Sequence, residues 1–304
     1  MNARRSARSH EDWTWVAALV GSKARTVGSR RLSGGIVSSV HCVSILDAHG
    51  LRHRLVVRRY MGTDQRGWGS SAVRREAAVL SALERSGLPA PRLVDADPDG
   101  LRAGVPAIVM SRVPGRIHLT PSDPESWLRQ MAALLPRIHE LSIEGDPFES
   151  WLDASQLAPP PGSHDVSIWR RAIDFVSTAT PAYVPHFIHR DYQHFNLLWT
   201  RERLSGVVDW CCASNGPADA DVAHCRLNLT VLFSASWAER FRLAYEAEAG
   251  RSLDPWWDIA GLMSYSQEWK KFLPLQVGNR VHVDTGGMDA RMDDILEFAL
   301  QRTA

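Results

Sequence analysis

The segment from Phe187 to Asp209, FIHRDYQHFNLLWTRERLSGVVD, constrains the fold of this 304-residue chain more than any other stretch. Two apolar runs, Leu197-Leu198-Trp199 and Val207-Val208, flank a polar, turn-forming stretch from Thr200 to Gly206, which reads as an antiparallel hairpin. At the open end of a hairpin, the residue entering the first arm lies beside the residue leaving the second. Asn196 and Asp209 are therefore expected as neighbours, offering a carbonyl oxygen and a carboxylate to one hard cation. Magnesium suits such a pair, because it keeps several waters and substrate phosphates in its shell. Asp191, on the loop just before, is expected to face the same space and to accept the proton of an attacking hydroxyl. The pattern implies phosphoryl-transfer chemistry.

His189, Asp191 and Asn196, followed by Asp209 after a hairpin, resemble the catalytic loop and metal-binding aspartate of the aminoglycoside phosphotransferase family. The run Gly216-Pro217-Ala218-Asp219-Ala220-Asp221-Val222-Ala223 is similar to a further segment of that family. The resemblance implies an α+β, protein-kinase-like bilobal fold: a small strand-rich N-terminal lobe with its hinge over residues 1–115, and a larger helical catalytic and acceptor-binding lobe over 116–304. It implies Mg2+ and ATP or GTP as phosphoryl donor, with the nucleotide in a cleft between the lobes.

The N-terminal third offers the matching nucleotide residues. Gly34 and Gly35 lie in a turn between strand-like runs where the backbone can approach a phosphate closely, and Ser38 and Ser39 can donate hydrogen bonds there. Val40 to Leu46 and Leu51 to Tyr60 flank Asp47-Ala48-His49-Gly50, a hairpin signal. The chain has only three lysines, Lys23, Lys270 and Lys271, and none lies on the second of these strands. Arg58 stands where the family places its phosphate-binding cation. Alternation puts Arg58 and Arg59 on opposite faces, so only one reaches the nucleotide.

Ser71 to Ser86 reads as an amphipathic helix ended by Gly87 and Pro89, with Val73, Ala77, Leu80 and Leu83 on one face and Glu76 among them. Glu76, rather than Glu84, is expected to pair with Arg58, as the strand cation and helix glutamate do in kinases. Pro106 to Met110 is a short apolar strand that resembles the family's hinge. Backbone groups around Ser111 to Val113 would then bond the purine edge, and Met110 would border the base.

The acceptor is less constrained. After Asp209 the chain reaches a helix-like run, Asp221 to Phe233, within about a dozen residues, too soon for the long activation segment of a protein kinase. A small-molecule hydroxyl is the expected acceptor, including an antibiotic of the aminoglycoside or macrolide type; the alternative is a catalytically silent relative that binds a nucleotide or a partner. Arg190 stands where the antibiotic kinases commonly carry glycine and weighs against a polycationic acceptor. Trp256, Trp257, Tyr265 and Trp269 are either an aromatic wall for the acceptor or helix core. Asp284, Asp289, Asp293, Asp294 and Glu297 either receive amino groups or form a solvated helix face.

A formal net charge of +1 argues against a dedicated nucleic-acid binder, and no apolar run approaches a membrane span. Cys42, Cys211, Cys212 and Cys225 form no disulfide framework, and adjacent cysteines on an extended strand point apart, so reduced thiols are expected rather than a zinc site with His224. A cytoplasmic protein is the simplest expectation.

Overall fold

The computed structural model describes residues 12–32, 38–61, 66–153, 155 and 157–303. The glycines of the expected phosphate turn, Gly34 and Gly35, lie outside the described residues. The chain divides into two compact units, one of residues 1–73 with 93–112, the other of 74–92 with 113–304.

The first unit opens with a short helix, α1 (Thr14–Ala18), followed by β1 (Arg25–Leu32), β2 (Ser39–Leu46) and β3 (Arg52–Arg59). Helix α2 (Arg66–Leu83) begins here and passes into the second unit; β4 (Leu93–Asp97) and β5 (Ala107–Ser111) complete the first. The five strands form one antiparallel sheet in the order β1-β2-β3-β5-β4. The β2–β3 turn is set by Asp47, whose Oδ1 accepts from the amides of His49 and Leu51, both at 2.9 Å, and by Gly50 at φ +80°.

Alternation gives this sheet two distinct faces. Val43, Ile45, Leu55, Val57 and Val109 pack against Trp13, Val16 and Ala17. Each large aliphatic side chain buried in this way contributes about 1.5–3 kcal/mol. Arg59 lies on this face, its guanidinium 5.7 Å from the Trp13 ring centroid. Arg58 lies on the other, opposite Val40 on one side and Ile108 on the other, and it is buried.

The second unit is mostly helical: α3 (Pro124–His139), α4 (Val166–Val176), α5 (Ala218–Leu232), α6 (Ala235–Ala249), α7 (Pro255–Leu262), α8 (Trp269–Val277) and α9 (Met288–Leu300). Its strands are β6 (Asp146–Pro147), β7 (His186–Ile188), β8 (Leu197–Thr200), β9 (Arg203–Val207) and β10 (Ser214–Gly216). They form a three-stranded sheet ordered β6-β10-β7 and the hairpin β8-β9. Asp123 caps α3 by accepting from the Ser126 amide at 3.0 Å, with Pro124 in the first turn, and Asp254 caps α7 through the Trp256 amide at 2.8 Å.

Helix α5 is the axis of this unit, packed by α3, α6, α7 and α9 and buried along its whole length. Its interior position is unusual for its composition, since Asp219, Asp221, His224, Arg226, Asn228 and Thr230 are all buried. They are accommodated by partners: Arg226 pairs with Asp258 and Glu239, and Asp258 pairs also with Arg302. Among the described residues no helix is long and apolar enough to cross a membrane.

The expected elements recur with shifted ends. Helix α2 starts five residues before Ser71 and stops at Leu83, and Gly87 at φ +71° turns the chain away. The second arm of the catalytic hairpin starts at Arg203, earlier than the Val207-Val208 run, because the turn needs only Arg201 and Glu202, both at positive φ (49° and 60°). This is the geometry of a two-residue hairpin turn, built without the usual Asn or Gly.

Candidate active site

The short strand β7 delivers His189, Arg190 and Asp191, and a single tight turn, His194–Asn196, leads into β8. Leu197 lies opposite Val207, and the Val208 amide donates to the Asn196 carbonyl at 2.9 Å. The hairpin therefore brings Asn196 alongside Val208, with Asp209 as the next residue at its open end. The segment after the hinge is clamped on the same hairpin: Arg116 and Trp199 exchange backbone bonds of 3.1 and 2.8 Å. Gly115 makes this approach at φ +115°, where any Cβ would collide with Ser205 Oγ.

Two non-glycine residues of the site, Arg190 (φ 73°) and Asp209 (φ 70°), hold the left-handed conformation. Such conformations cost on the order of 1–3 kcal/mol each and persist where surrounding bonds enforce them. Asp221, in the first turn of α5, does so at Arg190. Its carboxylate accepts from the His189 amide at 2.8 Å and the Arg190 amide at 2.6 Å, and His139 Nε2 lies at 3.2 Å. Burial works to raise the Asp221 pKa, but His139 and the backbone bond outweigh it and hold the carboxyl below its usual range.

Asp191 is similarly poised. Its Oδ1 accepts from Gln193 Nε2 at 2.6 Å and His224 Nε2 at 2.9 Å, and its Oδ2 accepts from Asn196 Nδ2 at 2.8 Å. Burial pushes this carboxyl up, yet the bond and charge of His224 hold it below the ordinary value, so it is ionised near neutral pH. The side chain stays 26% exposed, which suits a base that must meet a substrate. Asn196 spends its amide N–H groups on Asp191, donating also to the Asp191 carbonyl at 2.8 Å, and its Oδ1 is engaged by no described residue.

His189 is fully buried; its Nε2 donates to the Val208 carbonyl at 3.0 Å and its ring lies 4.5 Å from that of Trp210. It ties the catalytic loop to the residues just before and after Asp209. Asp209 is half-buried and accepts from Cys211 Sγ at 3.1 Å. The following turn is gripped by α2: Glu76 Oε1 accepts from the Trp210 amide at 3.2 Å, and Arg75 Nη1 donates to the Cys211 carbonyl at 2.8 Å. The hairpin thus brings the Asn196 side chain, with its Oδ1 left over, to the same end as the Asp209 carboxylate. Among the described residues no group of three or more His, Cys, Asp or Glu has metal-site geometry.

The expected nucleotide residues fall on both units. Arg58 shares its sheet face with Met110, since Arg58 pairs with Ile108 and Val56 with Met110. Ser39 and Ser111 lie on the opposite face, paired with Arg59 and Leu55. Ser38 precedes β2, and Val113 opens the second unit. Glu76 is fully buried and belongs to the second unit, Arg58 to the first; Glu84 is exposed.

The proposed acceptor acids are placed otherwise. Asp289 is buried and bonded to Lys270 Nζ (2.6 Å), Tyr265 Oη (2.6 Å), Gln267 Nε2 (3.0 Å) and the Gly162 amide (3.0 Å). Asp293 is buried and accepts from Trp169 Nε1, Ser163 Oγ and the His164 amide. Asp284 holds Arg291 and the Gly287 amide, and Asp294 and Glu297 are exposed on α9. Asp289 and Asp293 thus fasten the 160–165 loop to α9. Of the four aromatics, Tyr265 and Trp269 are core, Trp257 lines a narrow cavity of about 30 Å³ with Trp151, Leu152, Arg190 and His224, and Trp256 is half-buried with its ring 4.8 Å from that of Trp257. A larger cavity of about 920 Å³, lined by His139, His186, Tyr245 and Arg251, includes none of Asp191, Asn196 and Asp209.

Sequence reasoning gave no role to Asp221, His224 or Gln193. An Asp and a His three apart on one helix face, directly after the metal loop, is the signal that was available.

The profile of a family described as phosphotransferase enzymes matches residues 38–256. Among solved structures, a Ralstonia eutropha JMP134 protein assigned as an aminoglycoside phosphotransferase superposes with a TM-score of 0.62 at 16% identity, covering 95% of this chain and 97% of that one. A thermostable aminoglycoside phosphotransferase APH(4)-Ia gives 0.58 at 17% identity (90% and 95%), and the macrolide 2'-phosphotransferase MphH of Brachybacterium faecium gives 0.57 at 16% (94% and 96%). At these identities the likeness speaks for the fold, which is α+β and kinase-like. Acyl-CoA dehydrogenase family member 10 of Mus musculus is 25% identical over 178 residues, 50% of this chain. The match spans 16% of that protein's length.

Proposed function

The chain belongs to the phosphotransferase enzyme family, and from that membership we propose that it transfers the terminal phosphoryl group of ATP or GTP, with magnesium, to a hydroxyl group of a small molecule. The observation that carries the reading is the setting of Asp191: an ionised, partly exposed carboxylate fixed by Gln193, Asn196 and His224, at the mouth of the hairpin that brings in Asp209.

In this reading Asp191 orients the acceptor hydroxyl and takes its proton as the oxygen attacks phosphorus. Asn196 Oδ1 and the Asp209 carboxylate hold the magnesium ion, which when bound neutralises charge on the phosphoryl oxygens. Arg58 supplies the cation for the nucleotide phosphates. Backbone amides at Gly34, Gly35, Ser38 and Ser39 would serve the same phosphates, and Met110 with the backbone of Ser111 and Val113 would meet the base. Asp221 keeps the loop in shape by holding two of its successive amides. The four free cysteines and the nucleotide donor suit the cytoplasm.

The solved structures named above include an aminoglycoside phosphotransferase and a macrolide 2'-phosphotransferase. Arg190 beside the base weighs against a polycationic acceptor, and Asp289 and Asp293 of α9 are engaged within the protein.

The test is thermal stabilisation by ATP or GTP with and without magnesium, followed by ADP or GDP formation across a panel of hydroxyl acceptors. Magnesium-dependent stabilisation with acceptor-stimulated turnover is expected. Stabilisation without turnover on any acceptor would favour a catalytically silent nucleotide-binding protein.

A further inference from the structure

We propose that Arg190 is an anion-recognition residue, and that the acceptor of this enzyme is a hydroxy compound carrying a carboxylate on an apolar or aromatic body. The proposal rests on the phosphotransferase reading and names its acceptor class.

Arg190 is 7% exposed. Its guanidinium donates from Nη2 to the neutral Glu149 carbonyl at 2.6 Å, and no carboxylate among the described residues forms an ion pair with it. The nearby acids are occupied: Asp221 bonds the backbone amides and Asp191 bonds His224. Burying a cation with no bonded carboxylate is costly, and burial pushes its titration down to about 10 against the opposing pull of Asp221, Cys212 and Asp191. What holds the group in place is aromatic. Its Cζ lies 3.7 Å from the Trp151 centroid and 4.6 Å from that of Phe148. Ring faces stabilise a guanidinium electrostatically and fix its plane while leaving donors at its edge.

Arg190 lines a narrow cavity whose other walls include Trp151, Leu152, Trp257, Ala260 and His224, the residue bonded to Asp191. The cavity's volume of about 30 Å³ is on the scale of one small polar group. A planar fork of N–H donors is complementary to a carboxylate, which it can bind through two parallel bonds. The cavity therefore accepts the charged end of a molecule, and the body extends over Trp151, which is 48% exposed, and Tyr183 beside Phe148 at 6.3 Å. A polycation would instead meet a guanidinium whose free edge offers only N–H donors. No bond changes in this recognition step; the transfer is the one already given, from nucleotide to acceptor hydroxyl.

The experiment measures nucleotide-dependent phosphorylation of phenyllactate and hydroxyoctanoate, each beside its carboxamide, and of kanamycin, reading ADP or GDP release and product mass. The acids are expected to exceed their amides in kcat/KM by about tenfold to a hundredfold, the worth of one charge-assisted bond. Arg190→Gln is expected to collapse that ratio through loss on the acids, and Arg190→Lys to keep part of it. Acids no better than amides, or kanamycin preferred to both, would overturn the proposal and leave the phosphotransferase reading standing. Silence on every acid overturns the acceptor class; slow hydrolysis of the magnesium nucleotide would then keep the broader reading, and its absence, with no nucleotide stabilisation, would remove both. Should Arg190→Gln not fold, the acid-to-amide ratio of the unmodified enzyme decides alone.

Discussion

His224 Nε2 donates to Asp191 Oδ1 at 2.9 Å, and this bond joins the central helix to the candidate base. It opposes burial and keeps the Asp191 carboxyl below its ordinary pKa. Because the carboxylate is the working form, activity is present above that pKa and lost as pH falls through it. His224→Ala removes the opposing bond and leaves burial to act, so the acid limb of kcat/KM against pH is expected to move upward. An unmoved limb would show that His224 does not tune the base.

Asp221→Asn tests the loop anchor. The carboxylate accepts from two amides and faces His139 while fully buried, and an amide cannot reproduce both acceptor oxygens. Leaving a buried donor unsatisfied costs about 1–3 kcal/mol, which urea unfolding at neutral pH will read. The native pKa of Asp221 is depressed, so its contribution is full above the unfolded value of 3.8 and disappears as pH falls through the native one. The gap between parent and variant is therefore expected to close in strong acid and to stay open at pH 7. A variant as stable as the parent at pH 7 would remove Asp221 from this role.

The hairpin and the strand alternation could be read directly from the chain, because the relevant relations are local. Leu197 to Val207 is a hairpin whose alternation and turn fix Asn196 and Asp209 at one end, and Arg58 and Arg59 separate by simple alternation. What stayed hidden depends on partners distant in sequence. His224 reaches Asp191 across 33 residues, and Asp289 meets Gly162 across 127. Helical spacing tells which face of α9 is buried but not that a loop of amides and a lysine await its acids. The Arg201-Glu202 turn escaped notice because neither residue is one that favours positive φ.

Asp289→Ala separates a structural from a substrate role. Asp289 is buried against Lys270, Tyr265 and Gln267, and breaking a buried pair costs about 3–5 kcal/mol. Lys270 keeps some solvent exposure, so the lower end is expected in chemical denaturation. Unchanged stability with a selective rise in KM for an amino-bearing acceptor would return Asp289 to the acceptor site.

Asp209→Ala is expected to abolish the magnesium dependence of nucleotide stabilisation, measured as the melting shift with ATP or GTP in magnesium against the shift in EDTA. A melting shift that still responds to magnesium as in the parent would mean that the ion is held elsewhere.

The account turns on Asp191 as the base, and its most direct test is single-turnover phosphorylation by Asp191→Asn of the best acceptor from the panel. Nucleotide affinity is measured in parallel by calorimetry. Loss of a general base lowers the rate by about 10²–10⁴, and the account expects a fall of that size with nucleotide binding close to that of the parent. A rate within a few-fold of the parent would contradict it.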